Sequence, residues 1–161
     1  MYKLHLDQEL AKDVFVSSSK ETIDWVVNAI ANIVVADGII EKHEFVALQE
    51  AIGLLEDKDE IHALMDRVKK KELIDIRSIR IKDELAIKIF FYLAAIAVID
   101  GELKKSEAEM LKTCGHCMGL EDDLIKAVIQ WTLKQMEINR KLKEDLKSSN
   151  SFRSRIIDSI L

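Results

Sequence analysis

The sequence predicts an all-α fold: a single-domain helical bundle of seven or eight helices over residues 1–161, built on two pseudo-twofold-related helical hairpins. Three observations lead there. Apolar residues recur at spacings of three and four nearly throughout, the period of one helix face. The chain has no proline and only five glycines, so little enforces a break in a helix. At 161 residues with 48% hydrophobic and 33% charged residues, it has the size and composition of one ordinary soluble domain, and a disordered or fibrous chain is excluded.

The elements follow in order. Ser18 with Glu21 three residues on fits a capping box, and Ile23, Val26, Val27, Ile30, Ile33 and Val34 behind it share a face that ends near Ala36. Asp37-Gly38 breaks the pattern. A second helix from about Glu41 carries Phe45, Leu48, Ala51 and Ile52 and stops at Gly53. A third runs from about Asp57 to Lys71, with Ile61, Leu64, Met65 and Val68 inward. In Glu72 to Ile81 the alternation of Ile74, Ile76, Ile79 and Ile81 imitates a strand, but one strand has no partner, so an irregular or single-turn connector is expected. A helix from about Asp83 to Ile99 is apolar almost all round and is expected to be central. It is too short for the ~20 residues that span a bilayer. After Asp100-Gly101 come helices at about Lys104 to Met118, stopped by Gly119, and Asp122 to about Lys147. A last short helix is expected over Phe152 to Leu161, capped from the Ser148–Ser151 loop.

The strongest signal is an internal repeat. Residues 31–38 match residues 94–101 at an offset of 63, and eight of the eighteen positions from Ala31 to Leu48 are identical. The copies span about 23–54 and 86–120. Each is a helix, an Asp-Gly turn, and a second helix with Glu seven residues after the Asp. Four acids recur in this way: Asp37, Glu44, Asp100 and Glu107. Carboxylate oxygens suit hard divalent cations, and a twofold packing of the copies would bring all four together. Glu41 and Glu102 are weaker candidates to assist. The same residues also fit plain architecture. Asp before Gly closes a turn through its own side chain, and Glu at the third helical position is the returning half of a capping box.

This doubled pattern, Ala36-Asp37-Gly38 to Glu44 and Asp100-Gly101 to Glu107, each behind an apolar helix, resembles the tellurite-resistance TerB family. The resemblance covers about Glu21 to Leu133. It implies a TerB-like all-helical bundle of bacterial tellurite-resistance and stress-response systems, with acidic residues that bind a metal ion. It also implies protein partners in a stress-response complex. The chain departs from the family after each turn, where it has Glu41-Lys42 and Lys104-Lys105 in place of Ser/Thr-Pro.

Other constellations carry less. Cys114-Gly115-His116-Cys117 has the spacing of a zinc or thiol-redox pair. A structural zinc site needs four ligands and no second cysteine pair exists; the alternative is two small core residues one turn apart. His43 adjoins Glu44 and is expected at the surface. No His has Glu three residues before it, as a helical di-iron site requires. No nucleophile elbow, P-loop or dinucleotide glycine pattern occurs, so the chain is not expected to be an enzyme. The net charge of −5 disfavours nucleic acid. Lys134 to Arg155 nonetheless carries a surplus of positive charge, which suits an anionic partner or an acidic membrane surface, or simply a solvated amphipathic helix. Two cysteines and an opening without the long apolar core of a signal peptide point to a reducing, cytoplasmic setting.

The expectation is therefore a non-enzymatic, TerB-like divalent-metal-binding or scaffold protein. Ca²⁺, Mg²⁺, Mn²⁺ or Zn²⁺ would sit on Asp37, Glu44, Asp100 and Glu107. The alternative is a metal-free helical protein-interaction module.

Overall fold

A computed structural model describes residues 18–98 and 102–148. These residues form six helices: α1 (Lys20–Val35), α2 (Lys42–Ile52), α3 (Lys58–Lys69), α4 (Asp83–Ala97), α5 (Lys105–Cys117) and α6 (Asp122–Ser148), with no strand among them. The expected all-α class is what the fold has. Asp100, Gly101 and the short helix anticipated at Phe152 to Leu161 lie outside the described residues.

The two most apolar helices take the centre. α1 packs against α2, α3, α4 and α5, and α4 packs against α1, α2, α5 and α6. Val26, Ile30, Ile33 and Val34 of α1 meet Ile89, Phe90 and Leu93 of α4 in one core, which Leu48, Leu111 and Ile125 close from the outer helices. Each of these aliphatic or aromatic side chains contributes about 1.5–3 kcal/mol on full burial. α5 approaches α4 and α6 closely enough that a Cβ on Gly115 would fall 2.6 Å from Ile125 Cδ1 and 3.3 Å from Phe90 Cε2. A side chain at the glycine inside the Cys114–Cys117 motif would therefore force Ile125 to move.

Helix ends refine the sequence reading. The N-cap of α1 is Ser19, not Ser18: its Oγ accepts from the Thr22 backbone N–H at 3.2 Å and lies 3.0 Å from Thr22 Oγ1, so Thr22 takes the place expected of Glu21. Gly53 caps α2 in right-handed geometry, so the stop there needs no glycine-specific backbone. Gly119, at φ +82°, does supply the left-handed residue after α5. Its N–H donates to His116 O at 2.9 Å, and the Leu120 N–H donates to Gly115 O at 3.0 Å. α3 ends with the same pair of bonds, Lys71 N–H to Val68 O and Glu72 N–H to Arg67 O, both 3.0 Å. There the left-handed residue is Lys71, at φ +56°.

The connector 72–82 has no strand partner but is not unpaired. Asn32, fully buried on α1, accepts from the Ile74 N–H through Oδ1 at 3.2 Å and donates from Nδ2 to Ile74 O at 2.7 Å. Its amide thus serves one connector residue as a neighbouring strand would. Trp25 Nε1 donates to Arg77 O at 2.7 Å. From α5, Cys117 O accepts from the Ile79 N–H at 2.9 Å, and Cys117 Sγ reaches Ile76 O at 3.4 Å. Side chains and the Cys117 carbonyl therefore replace a sheet; Ile74, Ile76, Ile79 and Ile81 are half-buried, the last three packed against the core.

Candidate functional site: an acidic junction between two helix pairs

The Asp37-Gly38 turn and the starts of α2 and α5 place acids by local chemistry. Gly38, at φ +76°, lets the chain leave α1, and its N–H donates to Val35 O at 3.0 Å. Asp37 Oδ1 closes the turn by accepting from the Ile39 N–H at 3.0 Å. α2 then begins after Glu41, and α5 after Lys104; neither of these N-cap residues makes a side-chain capping bond. Glu44 and Glu107 stand at the third helical position of α2 and α5, where the helix N-terminus favours a negative charge.

Both glutamates are buried, Glu44 to 3% exposure and Glu107 to 2%. Their carboxyls hydrogen bond to each other. Burial, then the charge of Glu107 and that hydrogen bond, push Glu44 up to about 8. Burial also raises Glu107, against the opposing effects of the Glu44 hydrogen bond, the Lys104 backbone and the Lys104 ammonium. Near neutral pH the pair therefore holds a proton between its two carboxyls. Glu107 Oε2 is buried with no hydrogen-bond partner among the described residues. His43 is half-buried rather than at the surface: its Nε2 sits 3.8 Å from Glu44 Oε1 without a hydrogen bond.

The third acid has a different counter-charge. Lys104 Nζ lies 2.6 Å from Asp37 Oδ2 and 3.2 Å from Glu41 Oε1. Burial alone would raise Asp37, but the Lys104 hydrogen bond, the Ile39 N–H and the Lys104 charge together hold it below its ordinary value. The same two carboxylates raise Lys104 well above the usual lysine range. Lys104 and Glu41 are equivalent positions of the repeat, as are Glu44 and Glu107. Equivalent residues thus meet across the junction, once as a salt bridge and once as an acid pair.

Of the four acids singled out by the repeat, Asp37, Glu44 and Glu107 are described, and the structure pairs Glu44 directly with Glu107. Asp100 lies outside the described residues. Among the described residues, no group of three or more His, Cys, Asp or Glu converges as a metal site would. Glu102 is exposed. The residue that sequence reasoning missed is Lys104. Its signal was available: it is the one charge reversal, Glu41 against Lys104, in an otherwise acidic repeated motif.

The cysteines behave as packing residues. Cys114 is buried, and burial followed by the neighbouring Cys117 pushes its thiol up to about 12. A thiol held protonated at neutral pH is a poor nucleophile. His116 leaves the motif and pairs with the Asp122 carboxylate at the start of α6. The basic residues of α6, Lys126, Lys134, Arg140, Lys141, Lys143 and Lys147, are all exposed. No helix among the described residues is long and apolar enough to cross a membrane.

No family model matches this chain, and neither a curated protein nor a solved structure matches it.

Proposed function

We propose that this chain is a TerB-like, non-enzymatic cytoplasmic scaffold of a stress-response system, whose two helix pairs are related by a pseudo-twofold axis and joined by a divalent cation at the acidic junction. The observation that carries the reading is the buried Glu44–Glu107 pair, one acid from each repeat, with Glu107 Oε2 left without a partner. Two desolvated carboxyls and an orphaned oxygen are the donor chemistry a hard cation takes. Glu44 and Glu107 would hold the ion, with Asp37 and Asp100 supporting. The ion would supply a fixed positive charge in place of the shared proton, so its binding releases that proton and strengthens as pH rises. Tellurite as the stress, and partner proteins, are proposed on the family resemblance alone.

A second reading has its own observation. Lys104 already gives Asp37 and Glu41 an internal cation. On that reading the junction is a metal-free latch and the chain a helical interaction module. Trp131, 63% exposed on α6 and stacked on Phe91 at 6.4 Å, would belong to its contact surface.

Thermal melts of the parent, Glu107→Gln and Lys104→Met, each with and without Ca²⁺, Mg²⁺, Mn²⁺ or Zn²⁺, separate the two. A bound cation stabilises the parent by ~2.7 kcal/mol at a hundredfold excess over its dissociation constant. Glu107→Gln abolishes that gain, and Lys104→Met, which removes a competing charge, enlarges it. A parent indifferent to all four metals, with Lys104→Met simply less stable, leaves the latch reading in place and rejects the metal.

A further inference from the structure

A cavity of about 660 Å³, open to solvent, lies between the connector and the end of α5 and shares no residue with the acidic junction. Residues 78–82 form one side of it and residues 116–119 the other. Two bonds tie these sides together and fix the shape between them. The Ile79 N–H donates to Cys117 O at 2.9 Å, and Cys117 Sγ reaches Ile76 O at 3.4 Å. Residues 72–82 run without a turn or bend, so successive side chains alternate between two faces. Ile79 and Ile81 pack against the core and are half-buried, whereas Ser78, Arg80 and Lys82 alternate with them and are exposed. The cavity borders both sets, so an apolar strip runs beside two full positive charges.

Neither Arg80 nor Lys82 makes an ion pair among the described residues. His116, the third basic group on the cavity, is already taken by the Asp122 carboxylate. No Asp or Glu lines the cavity, although acids outnumber Lys and Arg in the chain by 29 to 24. Asp83 and Glu84 follow Lys82 but do not border it. A cation would therefore meet two unpaired positive charges. A wholly apolar molecule would leave those charges unused. A bare anion would gain nothing from Ile79 and Ile81, and exposed charges alone hold it weakly in water. An anion with an apolar tail uses both parts, and the volume falls in the range of small-ligand sites. Arg80 carries the two-donor edge that a carboxylate accepts in bidentate fashion, and Lys82 adds a point charge about 7 Å along the extended chain. The strip from Ser78 to Lys82 is roughly 13 Å long, which sets the size of the tail. We propose that this cavity binds an apolar monocarboxylate of medium chain length, its carboxylate on Arg80 and Lys82 and its tail along Ile79 and Ile81. The site does not depend on a metal at the acidic junction.

The test is a titration of the full chain with octanoate, followed by backbone amide chemical shifts. Octylammonium carries the opposite charge on the same tail, octanamide carries none, and acetate and inorganic phosphate are anions without a tail. Octanoate should give saturable shifts in the amides of residues 78–82 and 116–119. The four comparison compounds should each bind at least tenfold more weakly. The double change Arg80→Gln, Lys82→Gln should weaken octanoate at least tenfold, and Arg80→Glu, Lys82→Glu should transfer the preference to octylammonium. Both residues are exposed, so these variants remove no core contact. No saturable shift up to ~10 mM octanoate, or shifts confined to amides elsewhere, such as those around Trp131, rejects the site. Equal binding of octanamide or octylammonium means that the charge is not recognised, and equal binding of acetate or phosphate means that the tail is not; either overturns the proposal. The comparison of compounds on the parent chain decides the matter even where a variant fails to fold.

Discussion

The connector clamp and the acidic junction both bury polar side chains against α1 and its neighbours, yet they solve the problem in opposite ways. Asn32 is a neutral group whose amide oxygen and nitrogen each meet a backbone partner on Ile74. Glu44 and Glu107 are two acids that cannot both be charged at close range, and one oxygen of Glu107 still lacks a partner. The clamp is therefore a fixed joint, indifferent to pH or ions. The junction is conditional: its stability depends on a proton and on the charge of Lys104.

The largest expected effect lies on the fixed side. Asn32→Leu keeps much of the side-chain volume but strips the Ile74 N–H and C=O of their partners. Each buried, unsatisfied backbone group costs about 1–3 kcal/mol, so a loss of about 3 kcal/mol is expected. The loss should be the same at pH 5 and pH 8 in denaturant unfolding. A loss below ~1 kcal/mol would mean that water or a shifted connector takes over the Asn32 bonds, and the clamp would then be no more fixed than the junction.

The next prediction tests the conditional side. Glu44 is raised from 4.5 to about 8 in the folded chain, so between those values the folded state binds more protons than the unfolded one. Stability from this group is fully present below about pH 4.5 and falls away as pH rises through about 8. Glu44→Gln keeps a donor for Glu107 without a titrating proton. In metal-free buffer the variant should lose most of the parent's decline between pH 5 and pH 8.5, and at pH 8.5 it should be the more stable of the two. A parent whose melting temperature is flat across that range would show the acids to be hydrated and independent.

How much of this contrast is legible in the sequence follows from what local patterns encode. The helix positions are legible because α1 and α4 carry their periodicity without interruption and Asp-Gly and Gly119 interrupt it. The acidic pair is legible because the repeat doubles Glu44 onto Glu107. The clamp is not. Asn32 stands inside an apolar run, where its alignment with Ala95 of the second copy makes it look like a tolerated substitution. Its partner lies 42 residues away in a segment whose apolar alternation imitates a strand. Lys104 was overlooked because a lysine before a helix ordinarily belongs to the solvent. Only the packing of α5 against α1 shows which carboxylates it faces.

A smaller effect is expected at Cys117, where the clamp meets α5. Cys117→Ser retains a donor for Ile76 O, and the side chain is only half-buried, so the change in stability should stay within about 1 kcal/mol. Cys114 should resist alkylation in the folded chain at pH 7, because its thiol is buried and held protonated. Rapid native-state labelling of Cys114, or a zinc content that Cys117→Ser removes, would make the motif a chemical site and place a third conditional element beside the clamp.

The smallest expected effect is a gain, at the residue that starts the connector. Lys71 is exposed and holds a left-handed backbone, φ +56°, to end α3 with the same two hydrogen bonds that Gly119 makes possible after α5. For a residue with a Cβ that conformation costs roughly 1–2 kcal/mol. Lys71→Gly removes this cost and gives back about 0.5–1 kcal/mol of it as added freedom of the unfolded chain. It also removes a cation from a helix C-terminus, a loss of about 0.3 kcal/mol or more. The balance is a stabilisation of a few tenths of a kcal/mol, or about 1–2 °C in melting temperature for a chain of this length. The sign matters more than the size. Asn32 holds the connector only three residues beyond Lys71, so an unstrained exit from α3 should leave that clamp in place and simply add its gain. If Lys71→Gly destabilises instead, the lysine's backbone geometry is imposed by the clamp at Ile74 rather than by the end of α3. Combining it with Asn32→Leu would then give a loss smaller than the two taken separately, the non-additivity expected of coupled neighbours.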